Sequence, residues 1–191
     1  MKKVFAVALA FSCMSVAVVA QSTVFGLKAG LNSSSVKISD GDDYDSKLGL
    51  HLGGLAHIHL APHFAIQPEV VFSMQGGKDG DTKLNLNYVN VPVLFQYMFD
   101  GGFRLQTGPQ LGFMASAKSK NGDVEIDVKD DLASIDFAWS FGASYLFPGA
   151  NGLGADLRYN VGISNISDDN SFEARNNVLQ VGIFYQFSHG R

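Results

Sequence analysis

The chain has 191 residues, a formal net charge of −4, 46% apolar residues and a single cysteine, Cys13. That length fits one domain, two at most. The acidic balance argues against a nucleic-acid partner, which needs a basic patch, and one cysteine excludes an internal disulfide or a thiolate zinc centre.

The N-terminus reads Met1-Lys2-Lys3, an apolar run over 4–11, then Val18-Val19-Ala20. A basic start, an apolar centre and small residues before the cut predict a secretory signal over 1–20, cleaved after Ala20. A membrane anchor fits less well. Ser12, Cys13 and Ser15 break a run already short of the ~20 residues a helical span needs. Cleavage removes Cys13; its lipidation is the alternative, but Ala10-Phe11-Ser12 makes a poor lipobox. Without Lys2 and Lys3 the mature chain carries 12 basic and 18 acidic residues, a net charge of −6. No later apolar run is long enough for a helical span, so a membrane location requires a closed barrel.

From residue 23 the chain reads in period two, the signature of strands. Over 23–32, Phe25, Leu27, Ala29 and Leu31 alternate with Gly26, Lys28, Gly30 and Asn32. Residues 33–47 have the composition of a long polar loop. Its Asp40, Asp42, Asp43 and Asp45 do not match the spacing of an EF-hand calcium loop. Over 48–60, Leu48, Leu50, Leu52, Ala56, Ile58 and Leu60 oppose Gly49, His51, Gly53, His57 and His59. The histidines share one face, but no carboxylate or cysteine is spaced to complete a metal site. Over 64–75, Phe64, Ile66, Val70, Phe72 and Met74 oppose Ala65, Gln67, Glu69, Ser73 and Gln75.

The fourth strand, 84–99, shows Leu84, Leu86 and Tyr88 and then Val91, Val93, Phe95 and Tyr97. The apolar parity changes near Tyr88-Val89, which predicts a β-bulge there. Over 103–116, Phe103, Leu105, Leu111, Phe113 and Ala115 oppose Arg104, Gln106, Gln110 and Ser116. Residues 118–134 are charged, and Asn121-Gly122 predicts a hairpin that rises beyond the membrane. Over 135–147, Ile135, Phe137, Trp139, Phe141, Ala143, Tyr145 and Phe147 oppose Asp136, Ser140, Gly142 and Ser144. Over 153–163, Leu153 to Ile163 at odd positions oppose Gly154, Asp156, Arg158, Asn160 and Gly162. A polar loop over 164–177 leads to the closing strand, 178–187.

Eight strands with one apolar and one polar face predict an all-β, antiparallel, up-and-down transmembrane barrel over 21–191. The connections 61–63, 100–102 and 148–152 are short. Those over 33–47, 118–134 and 164–177 are long, with 79–83 the exception on that side. Short turns belong to the periplasmic side, so both termini are expected there. Phe25, Phe64, Tyr97, Phe99, Phe103, Tyr145, Phe147, Tyr185 and Phe187 all fall near the short-turn end, where headgroups favour aromatic rings. Gln180, Gly182, Tyr185 and Phe187 match the C-terminal assembly signal of bacterial outer-membrane barrels, except that Ser188-His189-Gly190-Arg191 follow. Pro68, Pro92 and Pro109 lie inside predicted strands, where each removes a ladder donor, so bulges or kinks are expected at them.

Lys28, Glu69, Arg104, Asp136, Asp156 and Arg158 all take inward parity. Eight strands leave an interior that side chains fill, and buried charges must pair. The expectation is one polar network plugging the lumen, with Gln67, Gln106 and Gln180 completing its hydrogen bonds. A catalytic carboxylate pair would need a substrate cleft that such a lumen lacks. No nucleophile, phosphate-loop or metalloprotease motif occurs, and no cofactor is expected.

The stretches 26–32 (Gly-Leu-Lys-Ala-Gly-Leu-Asn), 68–78 (Pro-Glu-Val-Val-Phe-Ser-Met-Gln-Gly-Gly-Lys), 86–93 (Leu-Asn-Tyr-Val-Asn-Val-Pro-Val) and 108–113 (Gly-Pro-Gln-Leu-Gly-Phe) resemble the PorT-like outer-membrane β-barrel proteins. The resemblance covers nearly the whole mature chain. It implies a small eight-stranded barrel of the Gram-negative outer membrane and no single activity; some members serve secretion and gliding machinery. The expected protein is monomeric and non-enzymatic, structural or adhesive, or part of an envelope machine. Its expected partners are outer-membrane lipid and lipopolysaccharide, the barrel assembly machinery and an envelope protein. The rivals are a small lipid-modifying enzyme and a soluble lipocalin-like carrier.

Overall fold

The computed structural model describes residues 23–39, 44–122, 124–167 and 173–187. The predicted signal with Cys13, the acidic Asp40, Asp42 and Asp43, and the tail after Phe187 lie outside the described residues. Among the described residues nine strands form: β1 (Thr23–Ile38), β2 (Asp45–Ala61), β3 (Phe64–Asp79), β4 (Thr82–Met98), β5 (Phe103–Asn121), β6 (Val124–Asp127), β7 (Ile135–Leu146), β8 (Leu153–Gly162) and β9 (Ala174–Gln186). Eight of them close an antiparallel ring in the order β1-β2-β3-β4-β5-β7-β8-β9, with β9 back on β1. The short β6 stands outside the ring, paired to the far end of β5 from Asn121↔Val124 onward.

The alternation decides which face is which. Leu52, Val181 and Ile183 are 62%, 54% and 59% exposed on the outside, while the alternate residues Gly53, Gln180 and Gly182 line the interior. Polar atoms on the outer face satisfy one another. The Trp139 indole N–H donates to Thr107 Oγ1 at 2.8 Å, and that hydroxyl donates to the Ser140 carbonyl at 3.0 Å. In hydrocarbon, where no water competes, an unpaired donor would cost several kcal/mol, roughly.

The wall is taller on one side. Strands β1 to β5 have 16, 17, 16, 17 and 19 residues, against 12, 10 and 13 in β7, β8 and β9. A membrane crossing takes about 9–11, so the first five strands continue past the apolar band. The expected loop over 33–47 is therefore mostly strand, because β1 runs to Ile38 and β2 starts at Asp45. The expected loop over 164–177 likewise gives way to β9 at Ala174. A polar strand with water outside it has the composition of a loop. Only the hydrogen-bonding partners offered by its neighbours, such as Val36↔Asn176, make it a strand.

The bulge expected at Tyr88-Val89 on β4 sits on its partner instead. Leu86, Tyr88, Asn90, Leu94 and Gln96 all point inward, so β4 keeps one parity throughout. The register changes from Asn87↔Ser116 to Tyr88↔Met114, which leaves Ala115 of β5 as the extra residue. Leu86 and Tyr88 are apolar because they enter a second core and not because the strand turns over. The bulges expected at the prolines do not form. Pro68↔Val93 and Val71↔Asn90 share one register, as do Pro92↔Gln110 and Phe95↔Thr107. The ladder is interrupted beside these prolines without slipping. Pro109↔Trp139 lies in an unbroken run.

Turns at the short-turn end use backbone that favours glycine. Gly102 (φ 96°) and Gly152 (φ 101°) take positive φ, and a Cβ on either would strike a strand carbonyl, that of Leu146 or Gln186. The aromatics gather just above these turns. Ring centroids lie 5.2 Å apart for Phe64–Tyr97, 4.8 Å for Tyr97–Phe99 and 5.6 Å for Phe99–Phe103. Tyr145–Phe147 and Tyr185–Phe187 continue the level at 5.5 and 5.6 Å.

Candidate functional site

The lumen holds the chemistry. Four charged side chains from β1, β3 and β8 meet at its middle. Arg158 grips Glu69 with two parallel hydrogen bonds, 2.9 Å to Oε2 and 2.8 Å to Oε1. Lys28 Nζ lies 3.4 Å from Glu69 Oε2 and 3.2 Å from Asp156 Oδ2, and Arg158 stands 3.9 Å from the same Asp156 oxygen. Gln67 donates to Glu69 Oε1 at 2.8 Å. Two cations thus face two carboxylates, all fully buried. The bidentate guanidinium grip is the strongest of these contacts, because both bonds are charge-assisted.

Room for these long side chains comes from glycines on the adjoining strands. Gly53 pairs with Lys28, Gly142 with Arg158 and Gly182 with Asp156. A Cβ on Gly182 would stand 2.8 Å from the Ala29 carbonyl oxygen, 3.0 Å from His51 Nε2 and 3.2 Å from Asp156 Oδ1. Inward-parity glycine beside an inward charge was the sequence signal that could have located this cluster. Gly182→Leu is accordingly expected to lower the yield of folded barrel several-fold in a heat-modifiability gel, whereas Leu179→Val, on the outer face, is expected to leave it unchanged.

Arg104 and Asp136 do not join the expected network. Arg104 lies toward the short-turn end, donating to Gln186 Oε1 at 3.3 Å. Asp136 lies toward the other end, accepting from Ser164 Oγ at 2.8 Å. Strand stagger separates them, since inward parity fixes a residue's face but not its height. Of the three glutamines, Gln67 alone hydrogen-bonds to the cluster, although Gln106 lines the cavity beside it and Gln180 stands opposite Arg158. Gln106 accepts from Gln96 at 2.9 Å, and Gln180 donates to Asn32 Oδ1 at 3.1 Å. His51 Nδ1 contacts Asn32 Oδ1 at 2.8 Å, and His57 is buried, but His59 is exposed. Among the described residues no group of three histidine, cysteine or carboxylate side chains could hold a metal ion.

Above the charges Asn32, Ser73, Gln75 and Gln180 form a buried, uncharged hydrogen-bonded layer, and toward the loop end the lumen turns apolar. Val36, Leu86, Tyr88, Met114 and Ala117 from the tall strands pack against Ile166 and Ala174, with Tyr44, Leu84, Val128 and Leu132 around them. The connecting segments fold in as a lid: Ala133 N donates to the Ile166 carbonyl at 3.0 Å, and Leu132 bridges to Ser167. On the short-turn side of the charges the cavity beside Lys28, Asp156 and Arg158, lined also by Gln67, Gln106 and Phe184, measures about 10 Å³, roughly one water. The larger hollows, about 450 and 610 Å³, open on the outer face, against Phe64, Phe95 and Leu105 and against Leu31, Leu52 and Phe72.

A closed eight-stranded ring, apolar outside, charged within and edged by aromatics, defines an outer-membrane β-barrel protein. The sequence agrees. Residues 19–168 match the family described as outer membrane protein beta-barrel domain, and the chain belongs to it. Solved structures similar to it include Neisserial surface protein A, with a TM-score of 0.62 and 16% identity, covering 87% of this chain and 100% of that one. Ail, the attachment invasion locus protein of Yersinia pestis, gives 0.56 and 14% over the same shares. A major outer membrane protein from Thermus thermophilus gives 0.53 and 14%, again over 87% and 100%. At these identities the likeness concerns the fold. No curated protein sequence matches the chain.

Proposed function

We propose that this is a non-enzymatic, non-transporting barrel that presents a rigid polar wall outside the outer membrane, in a structural or adhesive role. One observation carries the reading: the lumen is closed twice, by the Lys28–Glu69–Asp156–Arg158 cluster and by the apolar lid, while five strands run on beyond the apolar band. Sugar-sized solutes need barrels of about 16 strands. The purified monomer is expected to give no stable porin-sized conductance in planar bilayers and no swelling of sugar-loaded liposomes. Reproducible sugar diffusion would make transport the function instead.

In this reading residues 1–20 are a cleaved signal and the short turns with both termini are periplasmic. Gln180, Gly182, Tyr185 and Phe187 address the assembly machinery, and the surrounding lipopolysaccharide is the lipid partner. The PorT-like resemblance and a place in a larger envelope machine belong to the same proposal, with the partner protein held at the tall wall. The attachment protein of Yersinia pestis shares the fold, which supports adhesion as the first role to test. Expression on a non-adherent host should promote attachment, and replacing residues 118–127 by a tight turn should reduce it. Attachment equal to that of the empty host would remove the adhesive role.

A further inference from the structure

The outer wall of β3, β4 and β5 changes chemistry in order away from the apolar band. Phe72, Val89 and Phe113 stand in one row, each opposite the next. The following row is Met74, Asn87 and Ser116, in which Asn87 Nδ2 donates to Ser116 Oγ at 2.8 Å. Asn85 opposite Lys118 comes next. The last row is Lys78, Lys83 and Lys120, with Lys78 paired to Lys83 and Lys83 to Lys120.

Like charges directly opposite each other destabilise a sheet. All three lysines are exposed, and none makes an ion pair with a described residue. Asp45 and Glu125 flank the row, opposite Lys78 on β2 and Lys120 on β6, but the Glu125 carboxylate closes its ion pair with Lys118 at 2.6 Å and acts on Lys120 only at longer range. Nothing in the fold requires three cations side by side. The distribution is also one-sided: among the described residues every exposed lysine or arginine lies at the loop end and none at the short-turn end.

We propose that this wall binds a phosphorylated glycolipid of the surrounding leaflet, with its phosphates on Lys78, Lys83 and Lys120. Its acyl chains lie on Phe72, Val89 and Phe113. Its sugar hydroxyl and amide groups meet Asn87, Ser116 and Asn85. Adjacent strands are about 4.8 Å apart, so the row spans roughly 10 Å, the reach of two phosphates on linked sugars. Six residues from Val89 to Lys83 rise roughly 20 Å along the strand. Strand tilt shortens that height, and flexible lysine stems bring the ammonium groups toward the headgroups. The proposal rests on the outer-membrane reading with the loop end outward.

The test uses the full mature chain in phosphatidylcholine nanodiscs, with bisphosphorylated lipid A, its dephosphorylated form and phosphatidylglycerol as probes. The combined Lys78→Gln, Lys83→Gln and Lys120→Gln variant is expected to lose at least ten-fold in affinity for the bisphosphorylated lipid. Its weak binding of the dephosphorylated form should not change, and wild-type binding should weaken with salt. A second readout is a change of sign. In detergent alone Lys83→Gln should raise Tm by about 1–3 °C, because it relieves the repulsion; with the bisphosphorylated lipid it should lower it. Wild-type affinity in the triple variant, or a Tm rise of equal size in both conditions, would overturn the proposal. An equal loss on phosphatidylglycerol would overturn the glycolipid assignment and leave a general anion patch. These measurements are independent of cell fractionation. Recovery of the protein outside the outer membrane would end the location reading, whereas phosphate-independent binding ends only this one.

Discussion

Glu69→Ala is expected to lower the unfolding free energy of the barrel by about 3–5 kcal/mol, the usual cost of leaving a buried charge without its partner. Glu69 takes both guanidinium nitrogens of Arg158 and one side of Lys28. Without it two buried cations share Asp156 alone. Urea unfolding in phospholipid vesicles measures the loss. Adding Arg158→Met should return part of it, because the uncompensated charge leaves as well. Arg104→Gln offers the contrast, since among the described residues Arg104 has no carboxylate partner and hydrogen-bonds to the Gln186 amide oxygen, and its removal should cost far less. Equal losses at Glu69 and Arg104 would mean that all lumen charges act as one network, against the geometry described above.

Val181→Arg should be the most damaging change on the outer face. Val181 lies between Leu31 of β1 and Leu157 of β8 and is 54% exposed to the hydrocarbon. An arginine near the bilayer midplane costs roughly 2–4 kcal/mol. Gln180→Arg places the same side chain in the lumen, beside Asn32 and opposite Arg158 of β8, where crowding and repulsion by that guanidinium are the penalties. Folded yield on heat-modifiability gels should therefore fall more for Val181→Arg. Equal yields would reverse the assignment of inner and outer faces.

By itself the sequence determined the faces. Period-two alternation is a local property of the chain, and the outer face has to be apolar where it crosses lipid, save for a group such as the Thr107 hydroxyl whose hydrogen bonds are made within the wall. The eight-membered ring, the short-turn end with its aromatics, and the inward parity of Lys28, Glu69, Asp156 and Arg158 were all readable for that reason. Heights around the ring were not readable, because they depend on the stagger between neighbouring strands. Only the tertiary structure decided that Arg104 and Asp136 fall at opposite ends of the lumen. It alone moved the register change from Tyr88 to Ala115, since Leu86 and Tyr88 have the same composition whether lipid or a second core receives them. Strand length was hidden too. The serines and asparagines of 33–38 and 174–177 look like loop until a partner strand takes up their backbone hydrogen bonds. The row of Lys78, Lys83 and Lys120 shares this origin: three residues distant in sequence became neighbours because pairing across the sheet, which no local pattern encodes, set them at one height.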